Sequence, residues 1–107
     1  MNCRVVITAT AKEDLRNIAF HLAEQAQDKA LARRFVEELR DKCKILGQFP
    51  ESGGVPADRI LTSAGYRFLV HKDYLIFYNY EKGENTAYIL SVFNGKRDYF
   101  RVMKKFL

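Results

Sequence analysis

In residues 65–80, GYRFLVHKDYLIFYNY, apolar side chains recur at every second position. Tyr66, Phe68 and Val70 alternate with Arg67, Leu69 and His71, the period of a pleated strand. Lys72-Asp73 makes a tight turn and YLIFYNY (74–80) returns, so the segment reads as a β-hairpin. EKGEN (81–85) supplies a second turn, and TAYILSVF (86–93) a third member of the meander. Tyr66, Tyr74, Tyr78 and Tyr80 read chiefly as core or sheet face, because aromatic rings fit a pleated surface.

Upstream of this hairpin the period is 3.6. ESGGVPAD (51–58) is a loop by composition, and RIL (59–61) reads as a short strand. Ala32, Phe35, Val36, Leu39, Cys43 and Leu46 form one apolar stripe of a helix that Asp28 caps and Gly47 ends, with Pro50 beyond. Leu15, Ile18, Ala19, Leu22 and Ala26 predict an earlier helix over 11–26, with Thr10 and Glu13 as its capping box. A residue or two separates the helices, which implies an antiparallel hairpin. CRVVI (3–7) is β-branched and opens the chain as a strand. The expected fold is α+β: an N-terminal strand, then an antiparallel helical hairpin packed on a twisted, mainly antiparallel sheet. At 107 residues, positions 1–107 make a single domain.

The net charge of +5 favours acidic or polyanionic partners. That excess is concentrated in the tail, where Lys96, Arg97, Arg101, Lys104 and Lys105 face one acid, Asp98. Cys3 and Cys43 make no redox or metal motif, and Cys43 lies on an apolar stripe, where a thiol is buried and inert. Charged residues interrupt every early apolar run, and no run approaches the ~20 residues of a membrane span. A soluble cytoplasmic protein without metal or cofactor is expected.

FNGKRDYF (93–100) is where strand and basic tail meet. The meander delivers Lys96 and Arg97 to one edge, where Arg67 from a neighbouring strand is expected to join them and Tyr99 stands beside Arg97. The plainer reading has Arg67 pairing with an acid such as Asp98, His71 as an exposed turn residue, and Lys104-Lys105 as a solvated end. DYFRVMKKFL is expected to make a final helical turn or two, with Phe106 and Leu107 docking back on the body.

The element order, together with KEDLRNIAFHLAE, ILGQFPESGG, GYRFLVHKDYLIFYNY and VFNGKRDYFRV, resembles the RelE/ParE superfamily over essentially the whole chain. These are toxins of type II toxin–antitoxin pairs. The resemblance implies a growth-inhibiting toxin neutralised by a cognate antitoxin, whose disordered acidic-amphipathic segment folds on binding. It also implies two possible targets on one fold. RelE-like members cut mRNA on the ribosome, whereas ParE-like members poison DNA gyrase.

For a metal-independent endoribonuclease, the resemblance maps the two arginines onto Arg67 and Arg97, whose planar forks suit phosphate. Its two lysines fall on Ile60 and Asp58, and its tyrosine on Met103, so the proton-transfer groups are lost. The long hairpin and FPESGG resemble the ParE-like side, where the tail is a binding patch and not a reaction centre. The reading therefore leans towards a gyrase poison with no enzymatic step. Its target contacts would be Arg67, Lys96, Arg97, Tyr99, Arg101, Lys104 and Lys105. A ribosome-dependent mRNA endonuclease using Arg67 and Arg97 is the alternative, and an inactive toxin-fold binding protein the second.

Overall fold

The computed structural model describes residues 2–106, and Leu107 lies outside the described residues. Three α-helices, two long and one short, stand between the first strand and the meander. In order these are β1 (Arg4–Ile7), α1 (Ala9–Ala26), α2 (Lys29–Lys44), α3 (Arg59–Ser63), β2 (Tyr66–His71), β3 (Tyr74–Glu81), β4 (Thr86–Asn94) and α4 (Gly95–Met103). The sheet has four strands in the order β1-β4-β3-β2. The meander pairs antiparallel, and β1 lies parallel to β4, with Val5 opposite Ala87 and Ile7 opposite Ile89. The α1–α2 hairpin is the crossover that a parallel pair requires. This is the α+β architecture expected from the sequence.

Each face of the sheet has its own core. On one face Leu15, Ile18, Leu39, Cys43 and Leu46 of the hairpin region pack on Leu69, Ile76, Tyr78 and Ile89. On the other, Leu61, Val102 and Met103 pack on Phe77 and Phe93. Phe106 reaches this second core, 4.8 Å from Phe77 and 5.9 Å from Tyr66 between ring centroids. The tail thus docks on the body through Phe106.

Three local expectations are corrected. The first helix begins at Ala9, and its cap is Thr8, not Thr10. The Thr8 hydroxyl accepts from Ala11 N–H at 3.3 Å and donates to the Ile89 carbonyl of β4 at 2.6 Å. This bond reaches across 81 positions of sequence, and Glu13 turns instead to Arg16 at 2.8 Å. The RIL segment is helical because Asp58 accepts from Ile60 N–H and Leu61 N–H at 2.8 and 3.1 Å. Its Leu61 is buried in the second core while Ile60 is 78% exposed. Finally, the terminal helix starts at Gly95, directly after the strand, because Asn94 is both the last residue of β4 and the cap of α4.

Candidate functional site

The Asn94 side-chain oxygen accepts from Lys96 N–H at 3.0 Å and Arg97 N–H at 3.2 Å, which turns the chain from strand to helix within one residue. Gly95 permits the turn. A Cβ there would stand 2.9 Å from Leu75 Cγ, and Gly95 N–H already donates to the Asp73 carbonyl at 2.8 Å. The basic tail is therefore the surface of a helix, and helical periodicity sorts its residues.

A 3-10 turn, Lys104–Phe106, continues α4, so that Lys96, Phe100 and Lys104 recur every fourth residue along one row, and Arg97, Arg101 and Lys105 along the next. Tyr99, Val102 and Met103 point to the opposite side, into the second core. Sequence reasoning chose Tyr99 as the aromatic at the site, yet Tyr99 is half-buried and its neighbour Phe100 is 78% exposed. The missed signal is the helical register, which depends on where α4 begins.

The second row faces α1. Arg97, Arg101 and Lys105 line a polar cleft of about 430 Å³ together with Asp14, Asn17 and His21 of α1. Asp14 is held at its floor, accepting from Ser91 Oγ at 2.8 Å and Val92 N–H at 3.0 Å. Asp98 pairs with Arg101 at 3.1 Å, and Lys96 with Asp73 at 3.4 Å. Arg97 is exposed and makes no ion pair among the described residues.

Arg67 stands elsewhere. It lies opposite Tyr78, whereas α4 leaves the sheet beyond Asn94, which lies opposite Tyr74. That puts Arg67 roughly 13 Å along the strands and roughly 10 Å across them from Asn94, where α4 begins. Arg67 also pairs with Glu51 and not with Asp98. Its guanidinium donates to the Glu51 and Gly53 carbonyls, both at 3.1 Å, and meets the Glu51 carboxylate at 3.6 Å. It fastens the 50–54 link to the sheet, with help from Tyr78, whose hydroxyl donates to the Pro50 carbonyl and accepts from Gly53 N–H.

His71 has a partner that the sequence did not disclose. Its Nε2 is 2.9 Å from Glu38 Oε1 on α2, and Lys72 is 3.6 Å from the same oxygen. The hydrogen bond from His71 holds the Glu38 carboxyl below its ordinary range. His71 thus latches the hairpin to the sheet. Among the described residues no group of His, Cys, Asp and Glu is arranged to hold a metal ion.

Residues 5–99 match the family of the ParE toxin of the type II toxin-antitoxin system, parDE. The chain belongs to that family. No curated protein matches this ParE-family chain by sequence. Solved structures share its fold. The toxin–antitoxin complex RelBE2 of Mycobacterium tuberculosis matches with a TM-score of 0.65 at 22% identity, over 88% of this chain and 92% of that one. The chromosomal ParDE system of P. aeruginosa gives 0.70 at 20% identity, over 86% and 95%. A double mutant of the E. coli toxin RelE in the free state gives 0.64 at 13% identity, over 100% of both. The chain is a type II toxin of the RelE/ParE superfamily. Among the described residues no helix is long and apolar enough to cross a membrane.

Proposed function

We propose that this toxin is a ParE-like poison of DNA gyrase, acting in the cytoplasm and restrained by a cognate antitoxin, with the outer row of α4 as its docking face. Phe100 carries the reading: it is 78% exposed between Lys96 and Lys104. Leaving a phenylalanine in water forgoes ~1.5–3 kcal/mol of burial, and an aromatic ring rimmed by cations has the composition of an interface anchor. The lysines steer the toxin towards an acidic surface. The engagement of Arg67 by the 50–54 link, away from the start of α4, supports binding over RNA cleavage, as does the inward-facing Tyr99. The likeness to the RelBE2 and ParDE toxin–antitoxin structures supports the antitoxin.

Pulse labelling after induction without antitoxin tests this proposal. Thymidine incorporation is expected to stop before amino-acid incorporation, and Phe100→Ala, at matched expression and unchanged melting temperature, to spare both. Translation stopping first would overturn the gyrase reading and make Arg67 and Arg97 candidate catalytic groups. A wild-type chain harmless to cells would leave an inactive toxin-fold binder.

A further inference from the structure

The outer face of the α1–α2 hairpin carries charges sorted by sign along each helix. On α2, Lys29, Arg33, Glu37 and Asp41 recur every fourth residue as one exposed row, two cations followed by two acids. On α1, Arg16, Phe20 and Glu24 make a second exposed row, a cation at one end and an acid at the other. Between the rows lies a groove of about 490 Å³, with Ala19, Ala23, Ala32 and Val36 along it and Phe20 at its lip. These small side chains leave room for close approach by another helix. Neither row pairs across the groove. Arg16 turns to Glu13 and Asp41 to Lys44, both exposed pairs of the weak surface kind. Glu24, Lys29, Arg33 and Glu37 make no ion pair among the described residues.

The two rows share one centre. Two cations followed by two acids match their own reversal, so a second α2 laid antiparallel sets Arg33 against Glu37 and Lys29 against Asp41. That match is centred on position 35. On α1 the centre is Phe20, about which reversal sets Arg16 against Glu24. Position 35 lies six residues after the start of α2, and Phe20 six before the end of α1. In a hairpin these stand at the same height, and the groove indeed brings Phe20 beside Ala32 and Val36. A single two-fold axis across both helices therefore satisfies both rows. On that axis sits Phe20, 61% exposed and the most exposed large apolar side chain of the two helices.

We propose that this face pairs with a second copy of the chain, hairpin on hairpin, as an isologous dimer. The contact takes both Phe20 rings out of water at its centre and surrounds them with pairs of opposite charge. The hairpin covers one face of the sheet and α4 the other, so the dimer leaves both Phe100 rows open. The pairing is independent of what those rows meet.

Sedimentation equilibrium of the purified full chain at low salt, from micromolar to millimolar concentration, tests the dimer. Wild type is expected to pass from monomer to dimer over that range. Arg33→Glu and Glu37→Arg each set like charges against one another twice, and each is expected to weaken association by about tenfold or more. Both positions are exposed, so the melting temperature of the monomer is expected to stay unchanged. An equimolar mixture of the two variants again sets opposite charges together, and is expected to form a heterodimer with affinity near that of wild type. The double variant, R33E with E37R, is self-complementary once more and is expected to recover the homodimer. Phe20→Ala is expected to lower affinity with the melting temperature unchanged.

Charges that only solvate the helices give no recovery on mixing. A mixture that stays monomeric, or single variants that associate like wild type, would overturn the proposal. Loss of the dimer in Phe100→Ala would place the contact on α4 and overturn it too. A wild-type chain monomeric throughout would do the same, leaving the groove to a partner other than this chain.

Discussion

Tyr78 is fully buried, and its hydroxyl serves Pro50 and Gly53 on a link that lies 25 or more positions away in sequence. Burial pushes its phenol up from the ordinary value. Tyr78→Phe leaves a buried N–H and a carbonyl without their partner, so urea unfolding is expected to show a loss of about 1–3 kcal/mol. Gly53 is equally constrained, since a Cβ there would meet Tyr78 Oη at 2.6 Å and the Phe68 carbonyl at 2.8 Å. At Cys43, burial raises the thiol to about 11, so almost no thiolate exists at neutral pH. Cys3 and Cys43 are both buried and are expected to resist a thiol-specific reagent in the native state and to react together on unfolding. The apolar stripe already marked Cys43 as inert. Nothing in the sequence joined Tyr78 to the link, because that bond forms only after the sheet has placed them side by side.

Between elements, a few polar contacts set how the helices meet the sheet. Thr8 joins the start of α1 to β4, so Thr8→Ala is expected to cost about 0.5–2 kcal/mol by denaturant titration, the range of a lost cap. Glu38 ties α2 to the β2–β3 turn through His71 and Lys72. Because its folded-state pKa is lowered, this contact stabilises at neutral pH and fades as pH falls through that lowered value. Wild type and Glu38→Gln are therefore expected to differ in stability at pH 7 and to converge in acid. Persistence of the full difference below the carboxylate range would disprove the latch. The elements themselves were largely legible from period and caps. RIL was not: its three apolar or basic residues carry no period, and only the Asp58 cap distinguishes a helical turn from a strand.

Across the whole molecule, the sheet places the paired arginines of the resemblance in different neighbourhoods. Arg67 fastens the 50–54 link, and Arg97 stands at the cleft below α4. Arg67→Ala is expected to lower the urea midpoint. Arg97→Ala is expected to leave the midpoint unchanged and weaken toxicity. With no shared partner and a wide separation, the two stability effects should add within ~0.3–0.5 kcal/mol in the double mutant. A larger coupling would mean that the arginines act as one site.

The order of elements, both helical stripes, the meander and the concentration of charge in the tail are local properties, and the sequence by itself determined them. Periodicity requires only neighbouring residues, and the superfamily resemblance rests on the same ordered segments. Which side chains share a site was decided by the tertiary structure. Asn94 starts α4 one residue after the strand, and that register turns Tyr99 inward, exposes Phe100 and divides five cations between two rows. Strand order then sets Arg67 apart from Arg97, since residues 30 positions apart in sequence are brought together or kept apart only by how the strands pair.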